Sequence, residues 1–361
     1  MRREVSIYLD LVRFAAAMVV MLSHFSFNRI SGGLLWQVSA YGHEAVTVFF
    51  VLSGFVIAYA TDTRETTPAS YCISRLARMY SVVIPALLLT VLLDELGTLL
   101  RPDLYAGGWG YVRDLSLTRF LTGLTFTNEL WTISIPQGSN GAYWSMGYEV
   151  PYYAIFGIAL FSSPRWRIAA VCAALAVAGP SIVLALPIWL SGVAAYHFCK
   201  RDLLSVRNGS LLFFGSLAAW VAYEVVVWKF GRPNLAATPW HKRTEIVQDY
   251  LIATFFVLNI VGFSAAASRL GGILVWLSRP IRFLAGASFT IYLCHLPILQ
   301  FMVACMPWPP IDPRSRIIVF SATLAMVFLI AMVTERKKEP WRKAIESIWN
   351  RCAAGRRIGA V

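Results

Sequence analysis

Charge is scarce in this chain. Of its 361 residues only 14% are Asp, Glu, Lys or Arg, while 58% are hydrophobic, and the mean hydropathy is +0.61. An ordinary soluble domain carries about 25% charged residues, so a water-soluble globular fold is excluded. Cysteine is sparse and scattered: six residues with no C-x-x-C spacing, which suggests neither a disulfide framework nor a zinc site. No internal repeat or low-complexity segment is evident. The apolar stretch behind Met1-Arg2-Arg3 lacks a small-residue cleavage site and contains Asp10 and Arg13; it reads as a retained helix rather than a signal peptide.

What is abundant is apolar run length. Several stretches reach the roughly 20 residues that a helix needs to cross about 30 Å of hydrocarbon. They are too long for barrel strands, so the expected fold is all-α, a polytopic membrane helix bundle. Ten helices are expected, at roughly 5 to 27, 44 to 61, 80 to 97, 142 to 162, 167 to 179, 182 to 199, 210 to 229, 250 to 267, 284 to 305 and 315 to 334. The fifth and sixth are split at Gly179 and Pro180 because one unbroken helix there would span about 50 Å.

The placement of positive charge agrees with ten crossings. With an N-terminus inside, inner segments hold 21 of the 32 Lys and Arg and outer segments 10, so both termini are expected to be cytoplasmic. The net charge of +13 then reflects topology and attraction to anionic membrane lipids, not nucleic acid. A membrane domain over 1–340 is expected, followed by a basic tail at 341–361. The outer loop near 98–141 is rich in Gly and aromatics (Gly107, Gly108, Trp109, Gly110, Tyr111, Trp131). It reads as interface anchoring, with a lid over the bundle as the alternative.

Ionisable residues inside membrane helices are costly and mark a pathway or site. The first helix has three: Asp10, Arg13 and His24. At 100° per residue the eleven steps from Arg13 to His24 end about 20° beyond three turns, so all three share one face, with His24 about 16 Å along the helix from Arg13. Such a stripe suits a reaction whose anionic donor enters from inside and whose acceptor comes from outside. The bland alternative is an Asp10–Arg13 pair that fixes packing, with His24 bonding a neighbouring helix.

Here the sequence resembles a known family. Leu9-Asp10-Leu11-Val12-Arg13, ten residues and then His24, is similar to the first-helix signature of the membrane acyltransferase 3 family. Gly42 to Ile57 resembles that family's second-helix run ending in Phe-Phe-x-Leu-Ser-Gly-Phe. Arg75-Leu-Ala-Arg78 resembles its Arg-x-x-Arg segment, Trp144-Ser-Met-Gly-Tyr-Glu149 its Trp-Ser-x-x-x-Glu motif, and Ser288 to Pro297 its late Ser-Tyr-x-Ile-Tyr-Leu-x-His-x-Pro run. The five matches occur in order over most of the chain. Two departures are Met146, where many relatives have Leu, and Glu335 to Pro340, where a Glu-x-Pro is spread out.

The resemblance implies a bacterial inner-membrane O-acyltransferase that uses cytoplasmic acyl-CoA, usually acetyl-CoA, as its donor substrate. The acceptor would be a carbohydrate: a cell-surface or exported polysaccharide or its lipid-linked precursor, with polysaccharide-biosynthesis proteins as partners. His24 would be the catalytic base or a covalent acyl carrier, and Arg13 would orient the thioester. Arg75 and Arg78 are placed to hold CoA phosphates, with ordinary positive-inside bias as the alternative. Glu149, Asp10, Trp144 and Tyr153 are candidates for catalytic support or acceptor binding. His295, near Pro297, reads as a structural hydrogen bond at a kinked helix, and Ser53 with Gly54 as a close helix contact. A proton-coupled transporter or flippase is the rival class; two related halves with matching broken helices would favour it, and none is apparent.

Overall fold

The computed structural model describes residues 1–106, 116–238 and 243–358. Among these there is no β-strand. Helices α1 (Arg3–Phe25), α2 (Asn28–Ser31), α3 (Tyr41–Thr63) and α4 (Pro68–Leu100) are followed by α5 (Pro102–Tyr105), α6 (Ser116–Leu124), α7 (Met146–Phe161) and α8 (Arg167–Ala178). Then come α9 (Pro180–Lys200), α10 (Val206–Phe230), α11 (Ile246–Leu270), α12 (Gly272–Trp276), α13 (Ser278–Ala285), α14 (Ser288–Ala304), α15 (Pro313–Val333) and α16 (Lys338–Ile358).

Among the described residues, seven helices are long and apolar enough to cross a membrane, and eight if α13 and α14, bent by 48° at their junction, form one span. The expected segments at 142–162 and 167–179 appear as α7, with 16 residues, and α8, with 12. At 1.5 Å per residue these reach only about 24 and 18 Å, short of a full crossing, so the expectation of ten crossings rests on them. The break at Gly179-Pro180 falls where expected: Gly179 takes φ +87° and Pro180 opens α9, using the freedom of one residue and the fixed φ of the other.

Two features, the start of the third helix and the place of the late bend, differ from expectation. The third helix begins at Pro68 rather than near residue 80, because Thr67 accepts from Ser70 N and Ser70 reciprocates in a capping box. Arg75 and Arg78 therefore lie two to three turns inside α4. The segment set apart as a basic tail is helix α16, which packs along α4. Pro297 lies inside one continuous helix, α14. The bend comes earlier, between Ala285 and Ser288, where Gly286 and Ala287 leave the helical ladder.

Pro297 still has an effect. Without an N–H it cannot bond the carbonyl of Leu293 four residues back. Asn140 supplies the missing donor, its Nδ2 lying 2.7 Å from Leu293 O. The segment before α7 is thus drawn into the bundle against α14, where Tyr292 Oη donates to Ala142 O at 2.9 Å and lies 2.6 Å from Ser145 Oγ. Of the outer loop, Gly107, Gly108, Trp109, Gly110 and Tyr111 lie outside the described residues. Trp131 is tied to α8, its indole N–H donating to Ala176 O at 2.7 Å and its backbone N–H to Ala178 O at 3.3 Å.

Candidate active site

Helix α1 packs on α3 and α14 and carries the site's axis. Toward its N-terminal end Arg13 pairs with Asp10 at 3.0 Å and donates to Ala285 O at 3.3 Å. Toward its C-terminal end His24 Nδ1 lies 2.7 Å from His295 Nε2, the two rings stacked with centroids 5.0 Å apart. Both contacts are to the α13–α14 arm, so α1 and α14 run in the same direction.

The tautomers follow from the partners. His295 Nδ1 lies 2.7 Å from the carbonyl of Ile291, and a carbonyl only accepts, so Nδ1 carries the proton. In a neutral imidazole Nε2 is then an acceptor, and His24 Nδ1 must be the donor to it. The lone pair of His24 is left on Nε2, on the far side of the ring from His295. That is the state in which an imidazole can take a proton from a hydroxyl. The bond at His295 was expected; its partner His24 was not.

Around Arg13 the helices enclose a cavity of about 70 Å³ whose polar lining includes Asp10, Arg13, Ser53, Arg78, Glu149 and Tyr153. Glu149 sits in the first turn of α7 and accepts from Ser53 Oγ at 2.7 Å and from the Tyr153 hydroxyl. Ser53 is held in turn by the Trp189 indole N–H at 3.2 Å. This triad depends on close contact between α3 and α9. A Cβ on Gly54 would stand 2.0 Å from Trp189 O, and one on Gly192 2.0 Å from Val51 O, which bears out the close-packing reading of Gly54.

The structure divides the remaining candidates. Arg78 lines the cavity, within electrostatic reach of Arg13 and Glu335. Arg75 does not line it: it is buried and bonded to Glu65, with its guanidinium 5.7 Å from the Tyr71 ring. Trp144 also turns away, stacking on His43 with centroids 6.0 Å apart and carrying Arg243 at 4.9 Å. Arg243 belongs to a buried cluster in which Asp249 accepts from it at 2.5 Å, from Thr47 at 2.5 Å, and pairs with His43 at 3.0 Å. Tyr153 and Asp10 remain in the site.

One residue that sequence reasoning treated only as part of a spread-out motif has a definite place. Glu335 Oε2 accepts from Phe289 N at 3.1 Å, Thr290 N at 3.0 Å and Thr290 Oγ1 at 3.2 Å, capping the start of α14. It puts a carboxylate beside the Arg13 and Arg78 guanidinium groups. Nothing local in the sequence signals this, since cap and helix lie 45 residues or more apart.

Apolar helices of membrane-spanning length around a half-buried Arg, a bonded imidazole pair and a hydrogen-bonded carboxylate mark a multi-pass membrane protein with a polar site inside its bundle. Residues 6–336 match the model of the acyltransferase domain of the acyltransferase 3 family, and the chain belongs to that family. It is 27% identical over 278 residues to the exopolysaccharide production protein ExoZ of Rhizobium meliloti (strain 1021), covering 70% of this chain and 75% of that protein. No solved structure matches.

Proposed function

We propose that this acyltransferase moves an acyl group, acetyl in the simplest case, from cytoplasmic acyl-CoA to a hydroxyl of a cell-surface or exported polysaccharide or its lipid-linked precursor. The observation that carries the reading is the lone pair left on His24 Nε2 by the Ile291–His295–His24 relay. Family membership and similarity to a protein named for exopolysaccharide production support it. With the N-terminus of α1 at the cytoplasmic face of the inner membrane, Arg13 and Arg78 lie toward the donor and His24 toward the acceptor.

In the direct form of the reaction, His24 Nε2 takes the proton of the acceptor hydroxyl as its oxygen bonds the thioester carbon. The C–S bond breaks, and the resulting thiolate recovers the proton from the imidazolium. Arg13 offers a fixed positive charge to the donor or its polarised carbonyl, and Arg78 a second one for donor phosphates. The pantetheine arm of the donor spans the roughly 16 Å between Arg13 and His24. Glu149, held by Ser53 and Tyr153, keeps the cavity polar and positions neighbouring groups. The same Nε2 lone pair would serve as nucleophile in a covalent acyl-imidazole route.

The test compares surface polysaccharides by mass spectrometry from cells with the protein, without it, and with His24→Ala. Loss of acyl mass in the deletion and the variant is expected. Full acylation with His24→Ala overturns the assigned chemistry, and unchanged polysaccharide in the deletion strain overturns the acceptor class.

A further inference from the structure

On the flank of α1 away from Arg13, the structure holds a second and much larger space. A groove of about 1060 Å³ lies between α1, α3, α10 and α11. From Leu217 to Trp228 it follows α10 for about 16 Å. Its floor and sides are apolar, with Val12, Val19, Val48, Val221, Val225 and Phe256 among them. Val221 is 65% and Trp228 88% exposed, so the groove opens sideways toward the hydrocarbon.

One end has different chemistry. Tyr41, Glu44, Trp220, Glu224 and Trp228 gather where α3 begins, the end of the bundle at which His24 stands. Gly42 meets Ser23 there so closely that an added Cβ would be 2.2 Å from Ser23 Oγ. Glu44 is only 2% exposed. Its Oε1 is bonded by Gln248 at 2.6 Å and paired with Arg232 at 3.0 Å. The Trp220 indole also bonds Glu44 and the Tyr41 hydroxyl bonds Glu224, while Glu44 Oε2 and Glu224 Oε1 are buried with no hydrogen-bond partner. Two acceptor oxygens left open in an apolar slot demand donors.

We infer that this groove seats a membrane-anchored saccharide, its hydrocarbon anchor along α1 and α10 and its sugar hydroxyls on Glu44 and Glu224. With Arg232 paired to Glu44, Glu224 leaves this end with one excess negative charge, which opposes an anionic head group. Sugar hydroxyls supply the donors that the carboxylates lack, and the indole and phenol rings of Trp220, Trp228 and Tyr41 offer apolar faces for the C–H face of a pyranose. The inference rests on the proposed carbohydrate acylation and narrows its acceptor to a lipid-linked one. An anchor held here brings its saccharide to the end of α1 that carries His24.

The experiment uses the full chain in nanodiscs and an alkyl maltoside with a diazirine near the end of its alkyl chain. Photolabelling is expected on α1 between Val12 and Val19 and on α10 between Leu217 and Val225. Excess dodecyl maltoside below its micelle point should compete at least tenfold better than lysophosphatidylethanolamine. Val221→Trp, which fills the floor, should cut both labelling and polysaccharide acylation in cells at least fivefold. Ala219→Trp, on the opposite face of α10, should leave both unchanged. Labelling spread evenly around α10, or equal competition by the two lipids, marks ordinary bilayer lipid as the occupant and overturns the inference. So does wild-type acylation by Val221→Trp. If the deletion strain loses acyl mass while Val221→Trp does not, the groove assignment falls alone. If groove labelling is saccharide-selective but the deletion strain loses no acyl mass, the groove stands and the acylation reading falls.

Discussion

Replacing His295 probes the relay on which His24 depends. In the resting enzyme the His24–His295 bond at 2.7 Å joins two neutral rings, worth a net of about 1 kcal/mol. When His24 takes a proton, the same bond becomes charge-assisted, worth about 1.5–3 kcal/mol. His295→Phe keeps a ring in the stack and deletes the acceptor, so the loss falls mainly on the transition state. The difference, about 0.5–2 kcal/mol, lowers kcat by ~2- to ~30-fold at about 1.4 kcal/mol per factor of ten, with KM for the donor nearly unchanged. His295→Gln, whose amide can accept from His24 and donate to Ile291 O, should recover most of that loss. The assay is the initial rate of acyl transfer from labelled acyl-CoA in membrane vesicles, normalised to inserted protein. Wild-type kcat in His295→Phe, or a His295→Gln variant as slow as the Phe variant, would refute the relay.

Three further outcomes are expected. Arg78→Ala should raise KM for acyl-CoA several-fold with the fold intact, whereas Arg75→Ala, which leaves the half-buried Glu65 carboxylate with Ser74 but without its cation, should leave KM unchanged and lower thermal stability; the reverse pattern would reassign the donor site. Gly54→Ala puts a methyl 2.0 Å from the Trp189 carbonyl and should separate α3 from α9, seen as loss of monodisperse protein on size exclusion, while well-behaved Gly54→Ala protein would contradict that packing. Asn140→Leu leaves the Leu293 carbonyl without its donor and should cost about 1–3 kcal/mol, read as a lowered midpoint in a thermal melt of the detergent-solubilised protein; an unchanged midpoint would count against the Asn140–Leu293 bond.

The parts of the site that were legible in the sequence are those governed by short-range periodicity. Arg13 and His24 announce a shared face because eleven residues come close to three turns, and polar groups stand out against an apolar helix. Arg78 and Glu149 were legible through motif resemblance and do line the cavity. The partners were not legible, because they come from distant segments: His295 is 271 residues from His24, and Glu335 joins the site by capping another helix. Arg75 and Arg78 looked equivalent in sequence. The nearby Glu65 engages one and leaves the other facing the cavity. Hydropathy also could not show that the expected segment at 142–162 becomes helical as α7 only from Met146, its preceding residues drawn in by polar contacts with α14.

That drawn-in segment makes Pro297 and Asn140 a single unit written in two places. A complete ladder at Leu293 would close the rung that Asn140 occupies, and a proline alone would leave a carbonyl facing hydrocarbon. Each residue is a defect without the other, so a change at one alters which residue the other position can tolerate. The register of the Glu149 segment is thereby set by one hydrogen missing from a helix on the opposite wall.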